Sequence, residues 1–249
     1  MSAAASSGHW KASDYAGAGA FVPALGAPVV ELLAPKAGER ILDVGCGDGA
    51  LTVGICDAGA DVLGIDPNAE LLAVAEGRGL ETYLVPAQSM QFESEFDAAF
   101  SNAALHWIGA HRDEVAKRIF AAIKAGGRFV GEMGGEGNIA GLLAAIEAEA
   151  RARGYKVGKG ASNWYPSVAE FSDTYARAGF TDIEAELFDR PTPLEEGVEG
   201  WIRTFRSGWL DTIGMPTEER TDFAVAVAQR WPHDFADYKR LRFAMRKPN

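Results

Sequence analysis

The sequence predicts an α/β fold with a mostly parallel β-sheet that is covered by helices on both faces. Short apolar runs alternate with stretches of helical periodicity along most of the chain, and the first run breaks directly into glycines. The first two runs, at 40–45 and 61–66, are mostly apolar, as is typical of parallel strands buried on both faces. Strands that alternate with helices in this way form a parallel sheet with helices on each side.

The predicted elements follow one another in a regular order. Residues 1–20 are rich in Ala, Ser and Gly, and a helix is predicted at 21–33. Strands are predicted at 40–45, 61–66, 80–85, 96–101, 128–133 and 183–188. Helices are predicted between them at 50–58, 67–76, 113–123, 138–153 and 168–178, with Gly or Pro marking several of the boundaries.

The last part of the chain departs from this alternation. Two predicted helices, 195–213 and 217–231, precede a final strand at 238–245. They predict a helical cap inserted before the last strand. No internal repeat and no linker composition divides the chain, so we expect one domain over residues 1–249.

Composition and charge exclude several classes of protein. Lys and Arg number 24 against 35 Asp and Glu, a net charge of −11, and such a surface repels phosphate backbones and anionic lipid. We therefore expect neither nucleic acid nor a membrane as partner. The two cysteines, Cys46 and Cys56, form no disulfide framework, the four histidines have no metal-ligand spacing, and the chain does not begin like a signal peptide. These features predict a cytoplasmic protein without a metal.

A glycine-rich loop, Asp43-Val-Gly45-Cys-Gly47-Asp-Gly49, joins the first strand to the next helix. Glycines let the backbone adopt positive φ and let a ligand approach closely, and the helix N-terminus offers free N–H groups to an anion. The spacing of Gly45, Gly47 and Ala50 also fits the GxGxxA pattern of dinucleotide-binding proteins. The loop by itself therefore leaves a nicotinamide-dependent, NAD(P)-binding oxidoreductase open.

Asp43 favours a different ligand because of its charge. It lies at the carboxyl end of the first strand, two residues before Gly45. Beside a pyrophosphate this carboxylate would be repelled, whereas beside S-adenosylmethionine it would face an ammonium and a sulfonium group. We therefore predict S-adenosylmethionine as cofactor and S-adenosylhomocysteine as product. A catalytically silent protein that only binds S-adenosylmethionine remains a further alternative.

Asp66 ends the second strand, at the distance from Gly45 that adenosine-containing ligands require. Its carboxylate can accept hydrogen bonds from both ribose hydroxyls. The other interpretation is a local role in capping the following helix or shaping the turn.

The segment Ile41–Thr52 (ILDVGCGDGALT) resembles the first motif of the class I S-adenosylmethionine-dependent methyltransferases of the type 11 group. Residues 96–107 resemble the fourth-strand motif of the trans-aconitate methyltransferase-like branch, and residues 238–246 resemble its closing strand. The resemblance is strong over about residues 38–133 and extends to the remainder only in layout. It implies a Rossmann-like sheet of seven strands with the last strand reversed, and methyl transfer to a small molecule.

The resemblance also assigns cofactor contacts. The methionine part falls to Asp43, Gly45, Cys46 and Gly47, the ribose and adenine edge to Asp66, Pro67 and Asn68, the adenine to Ala87 and Gln88, and the end of the fourth strand adds Ser101 and Asn102. Family members often carry Asp before this Ala, where the chain has Pro86, so the adenine contact would rest on Gln88 or on backbone. Trp10 and Tyr15 would form an aromatic flap over the cofactor; alternatively they pack against the sheet edge.

His106 and Trp107 follow the fourth strand, where an acceptor would meet the methyl group. His106 has a side chain suited to a general base, if the nucleophile must lose a proton. It equally suits a lining residue of the pocket, or a residue that only caps or packs. We predict His106 as the candidate catalytic residue, and His106 and Trp107 as candidate substrate contacts.

Further substrate contacts are predicted at Trp164, Tyr165, Trp201, Arg203 and Arg206. Arg203 and Arg206 are three positions apart, so a helix would place them on one face, where they could clamp a carboxylate. Pairing with Glu195, Glu196 or Glu199 is the alternative, and Arg240 and Arg242 in the last strand are interpreted in the same way.

These assignments divide the predicted domain into an N-terminal lid (1–37), a cofactor-binding core (38–133) and a substrate-side half (134–249). The half nearest the C-terminus contains the helical insertion at 195–231. We expect a transferase that acts on a small-molecule acceptor as a monomer or homodimer. A carboxylate acceptor, methylated on oxygen, is the preferred hypothesis, and an amine, a phenol or a carbon acceptor stays open.

Overall fold

The computed structural model describes residues 21–158 and 163–249. Its helices are α1 (Phe21–Leu33), α2 (Ala50–Asp57), α3 (Ala69–Gly77), α4 (Arg112–Ala122), α5 (Ala140–Ala152), α6 (Val168–Ala178), α7 (Gly197–Phe205), α8 (Ser207–Thr212) and α9 (Arg220–Arg230). Its strands are β1 (Arg40–Val44), β2 (Asp61–Asp66), β3 (Glu81–Leu84), β4 (Phe96–Asn102), β5 (Ile123–Gly134), β6 (Thr181–Pro193) and β7 (Phe235–Arg246). Short 3-10 turns lie at Ala87–Ser89, Leu105–His111 and Thr217–Glu219.

The seven strands form one sheet in the order β3-β2-β1-β4-β5-β7-β6. Strands β1 to β5 run parallel, and β7 is antiparallel to both of its neighbours. The predicted Rossmann-like sheet with a reversed last strand is therefore confirmed. The strand order reverses between β1 and β4, and in sheets of this type ligands bind outside the carboxyl ends of the strands at that point.

Apolar side chains cover both faces of the sheet. One buried cluster joins Leu42, Phe96 and Phe129 to α4 and α6, and a second joins Val29, Ile41 and Ile55 on the face of α1 and α2. The strands in the middle are thus buried on both sides, which explains why their sequences are mostly apolar. No described helix is long and apolar enough to cross a membrane.

The cap has its own buried cluster. Side chains of α5, α7, α8 and α9 pack together around Ile146, Trp201 and Phe223. The predicted helix at 195–213 is in fact two helices, because the backbone leaves helical geometry at Arg206, just before Ser207 and Gly208. Serine and glycine are weak helix formers, which makes a break there inexpensive.

Strand β6 is much longer than predicted, and its extension positions the cap. Residues 188–193 of β6 pair with 235–240 of β7 as a two-stranded ribbon that continues past the end of β5. The first residues of the reversed strand β7 therefore lie at the same sheet edge as the ends of β4 and β5. The cap helices, which connect β6 to β7, close over that edge.

Candidate functional site

The glycine loop is held tightly against the ends of β1 and β2. The N–H groups of Gly45 and Cys46 donate to the carbonyl of Ile65 over 2.8 and 3.1 Å. Gly45 has a φ of 78°, and a Cβ there would lie 2.3 Å from the Cβ of Ala104, so only glycine fits. Gly47 also has positive φ, but a Cβ there would meet nothing within 4 Å. The loop therefore turns an open face outward at Gly47.

Asp43 is a buried carboxylate with one unmatched oxygen. Its Oδ2 accepts a hydrogen bond of 2.7 Å from Thr52 Oγ1, while Oδ1 has no hydrogen-bond partner among the described residues. Burial, with a smaller contribution from Asp66, raises the pKa of Asp43 to about 7. A buried acceptor without a donor is costly, and a cationic ligand group with N–H bonds would satisfy it.

Asp66 contacts the loop from the end of β2. Its Oδ2 accepts from the N–H of Gly47 at 3.2 Å and its Oδ1 from the N–H of Asn68 at 2.8 Å. Burial raises the pKa of this carboxyl group as well. Asn68 caps α3, since its Oδ1 accepts from the N–H groups of Glu70 and Leu71. Asp66 thus helps to shape the turn through these two hydrogen bonds. Its side chain is only half-buried, so a ligand could also reach it.

The other predicted cofactor residues lie in different surroundings. Ala87 is buried and Gln88 half-buried in the turn after β3, while Pro67 is exposed. Ser101 is fully buried, and its Oγ donates to the carbonyl of Val44 over 2.8 Å, so its side chain ties β4 to β1 and does not face the crevice. The Cys46 thiol is largely buried, which raises its pKa, so it is no nucleophile. Trp10 and Tyr15 lie outside the described residues.

The end of β4 borders a cavity whose empty space of about 690 Å³ includes open solvent. Asn102 and Ala103 line it on the sheet side, and Leu25 of α1 lines it on another. Asn102 Oδ1 is a second buried acceptor without a partner among the described residues. Aromatic rings form much of the wall, from Trp107, Tyr165, Trp201, Phe205 and Tyr238, and three arginines reach it, Arg190, Arg206 and Arg240.

The cavity contains some of the predicted substrate residues and leaves out others. His106, Trp107, Tyr165, Trp201 and Arg206 all line it. Trp164 and Arg203 do not line it.

Each excluded residue is engaged elsewhere. Trp164 is core, because its Nε1 donates to Glu170 over 2.8 Å and its ring stacks on Phe171. Arg203 points to solvent and pairs with Glu196 at 2.7 Å, with 62% of its side chain exposed. Since α7 ends before Arg206, the two arginines do not act as the pair that a continuous helix would make.

Sequence reasoning missed the charged cluster below the cavity. Glu132 of β5 has no exposed surface and accepts from Arg190 of β6 at 2.6 Å and from Arg240 and Arg242 of β7 at 3.0 and 2.9 Å. Arg240 and Arg242 alternate in β7 and share a face, and Arg242 is the register partner of Glu132. The alternation of Arg240 and Arg242 in the sequence indicated a charged strand face. Only the pairing of β5, β6 and β7 shows that Glu132 lies between the arginines.

His106 is buried in the wall of the cavity. Its Nδ1 accepts a hydrogen bond from the N–H of Gly134 at 3.4 Å, and its ring lies 5.1 Å from that of Trp107 and 5.7 Å from that of Tyr165. Burial first, and then Arg240 and Arg206, hold the pKa of His106 well below 6.5. The imidazole is therefore neutral at physiological pH.

Comparison with known proteins places this site in a family. The methyltransferase domain model matches residues 42–131, which include the glycine loop and β4. An uncharacterized methyltransferase of Schizosaccharomyces pombe is 31% identical over 96% of this chain and 98% of its own length. The chain belongs to the class I S-adenosylmethionine-dependent methyltransferases. The predicted cofactor is confirmed over the nicotinamide alternative.

More distant relatives of this methyltransferase differ in what they act on. A tRNA U34 carboxymethyltransferase of Pseudomonas syringae is 29% identical over 67% of this chain, which spans about half (53%) of that protein. A trans-aconitate 2-methyltransferase of Rhodococcus jostii is 32% identical over 38% of the chain and 39% of its own length. Phosphoethanolamine N-methyltransferase 2 of Haemonchus contortus has the same fold, with a TM-score of 0.60 at 22% identity over 91% of this chain and 53% of that chain. These relatives act on different acceptors and therefore leave the acceptor of this chain open.

Proposed function

We propose that Asp43, Asp66 and the open face of the loop at Gly47 hold the cofactor of this methyltransferase. The unmatched Oδ1 of Asp43 suits the ammonium group of the methionine moiety, and the N–H groups at the start of α2 suit its carboxylate. Asp66, half-buried at the end of β2, suits the ribose hydroxyls. The residues present therefore fit S-adenosylmethionine.

Cofactor affinity should depend on pH through Asp43. The ammonium group requires the ionised carboxylate, while burial raises the pKa of Asp43 to about 7 in the empty site. As pH falls below that pKa, a proton must be displaced for binding, so affinity for S-adenosylhomocysteine should be about tenfold weaker at pH 6 than at pH 8. Calorimetric titration at the two pH values measures this. Equal affinities would exclude Asp43 as the contact.

We propose further that the acceptor is a small carboxylic acid with an apolar body, methylated on oxygen. The single observation that carries this is Arg206, a cation that is only 4% exposed, lines the cavity and has no partner for its Nε among the described residues. Its guanidinium lies over the ring of Trp201, whose Nε1 donates to Tyr238 over 2.8 Å. A buried, positioned guanidinium recognises a carboxylate well.

The rest of the cavity supports the same class of acceptor. Three arginines share the single negative charge of Glu132, so the floor carries excess positive charge, although the protein as a whole is strongly acidic. A protonated amine would be repelled there. The aromatic wall suits an apolar or planar body. A polynucleotide would meet the net charge of −11 outside the cavity.

A carboxylate acceptor would need no general base, because the oxygen that is methylated carries no proton. Bound S-adenosylmethionine would supply a methyl group to a lone pair of the carboxylate oxygen; the carbon–sulfur electron pair would stay on sulfur, and the opposite charges would cancel without release of a proton. The residues of the chain then have to orient the acceptor and exclude water, which accounts for much of the acceleration in a displacement of this kind.

Arg206→Met should lower kcat/KM for the carboxylic acid by about 100-fold, because a charge-assisted contact is lost while the apolar stem is kept. Transfer of labelled methyl to a panel of aryl, unsaturated aliphatic and polycarboxylic acids identifies the acceptor, and alkali-labile product identifies an ester. Arg203→Met is the matched control and should behave like the wild type. Equal rates in the two variants, or alkali-stable product only, would contradict the proposal.

A further inference from the structure

His106 is held in one orientation by contacts to its backbone and to its ring. It lies in the 3-10 turn Leu105–His111, and its carbonyl accepts from the N–H of Trp164 over 2.8 Å, which fixes the backbone. The rings of Trp107 and Tyr165 lie against the imidazole, tilted by 40° and 34°. The side chain thus reaches the cavity with little freedom to turn.

The contact to Gly134 decides which ring nitrogen carries the proton. The N–H of Gly134, at the end of β5, donates to Nδ1 of His106. A ring nitrogen that accepts a hydrogen bond carries no proton, and a neutral imidazole has one proton, which must then be on Nε2. Among the described residues, no hydrogen bond to Nε2 is seen, and the ring lines the cavity, so this N–H is available to a ligand.

The surroundings keep the ring neutral. Arg240 of β7 and Arg206 at the end of α7 face it, and Arg190 of β6 lines the same cavity. The acid below them, Glu132, is already shared by Arg190, Arg240 and Arg242 and so offers no free counter-charge. Tyr238 is uncharged, since burial raises its pKa to about 12.

From this geometry we infer that His106 positions the acceptor as a neutral hydrogen-bond donor through Nε2–H and is not a general base. The inference rests on the proposed function and deepens it. A donor aimed at the carboxylate oxygen that is not methylated fixes the rotation of the carboxylate, with Arg206 as the second anchor. The other oxygen is then free to approach the methyl group.

Two variants separate a donor from a base. His106→Gln keeps an N–H near the position of Nε2, and His106→Leu keeps bulk without a donor. We expect kcat/KM for the carboxylic acid within about tenfold of wild type for Gln and lowered by about 30- to 100-fold for Leu, with unchanged affinity for S-adenosylhomocysteine in both. If Gln is as inactive as Leu while both bind the product, the donor role is wrong.

Two measurements on the wild-type enzyme complete the test. At saturating substrates kcat should be flat from pH 6 to pH 9, because the imidazole stays neutral over that range, whereas a tenfold rise per pH unit would show that a group required for transfer is still protonated there and would contradict a neutral His106. Nitrogen-15 NMR should show Nε2 protonated and Nδ1 bare at pH 7, with the His106 signals identified by their loss in the Leu variant; the opposite tautomer or an imidazolium overturns the inference. Methylation of amines or phenols alone would refute the carboxylate acceptor, while the NMR result would still decide the state of His106.

Discussion

Asp43→Asn is expected to lose S-adenosylmethionine binding by about 100-fold or more, because the ammonium group would lose its buried counter-charge. The change is nearly isosteric, and the asparagine Oδ1 can still accept from Thr52 Oγ1, whose hydrogen bond to Asp43 is 2.7 Å long. Isothermal titration with S-adenosylhomocysteine measures the loss. Asp48→Asn removes the same charge from the same loop but at a side chain paired with Arg78, so its affinity should stay within a few-fold of wild type.

The same Asp43→Asn variant should make the empty protein more stable at alkaline pH. A carboxyl group whose pKa rises from 3.8 to about 7 on folding destabilises the fold by an amount that grows from pH 4 upward, to about 4 kcal/mol at pH 8. The asparagine variant avoids this destabilisation, but its buried amide with an unmatched N–H offsets the gain in stability by about 1–3 kcal/mol. Thermal unfolding of the two empty proteins should therefore favour the variant at pH 8 and show little difference at pH 5.

The combination of both results is diagnostic. Loss of binding with a gain of stability means that Asp43 is kept for the ligand at a cost to the fold. Wild-type affinity in Asp43→Asn would exclude the residue from the cofactor site. A variant that is less stable than the wild type at pH 8 would mean that both carboxylate oxygens of Asp43 have hydrogen-bond partners in solution.

Glu132→Gln is expected to destabilise the protein by about 3–5 kcal/mol, because three buried or half-buried guanidinium groups would lose the counter-charge that they share. The loss should appear in urea unfolding as a lower midpoint with an unchanged slope. Because Arg190 and Arg240 line the cavity, KM for the acceptor should also change, while affinity for S-adenosylhomocysteine should not.

Glu149→Gln provides a matched control for the charged cluster. Glu149 is also nearly buried and pairs with two arginines, Arg153 at 2.7 Å and Arg230 at 2.8 Å, but it lies in α5, and none of these three residues lines the cavity. We expect a smaller loss of stability and no effect on the acceptor KM. If Glu132→Gln lowered stability and changed the acceptor KM no more than Glu149→Gln, the charged cluster around Glu132 would have no role in the acceptor site.

Local patterns in the chain were sufficient to predict the sheet and the glycine loop. The apolar runs mark β1, β2 and β4 because strands buried on both faces are composed mostly of apolar residues. Gly45 is required where a Cβ would strike Ala104, and the charge of Asp43 pointed to a cationic ligand before the unmatched oxygen was seen. Each of these features depends on residues close together in sequence.

The acceptor side was predicted less well because its contacts join distant segments. Arg203 and Arg206 were expected on one face of a continuous helix, but a break separates α7 from α8 at Arg206, and helical spacing does not reveal such a break. Trp164 was predicted to line the pocket together with its neighbour Tyr165. The local sequence does not indicate that the ring of Trp164 packs on Phe171 in the core.

The sequence by itself determined the fold and the reaction class, since these depend on periodicity and on short motifs. Only the tertiary structure decided that Glu132 binds Arg190, Arg240 and Arg242, and that Gly134 orients His106. The physical reason is that a buried charge or tautomer is set by partners from several strands. Their approach follows from strand order and register, which no local stretch of sequence contains.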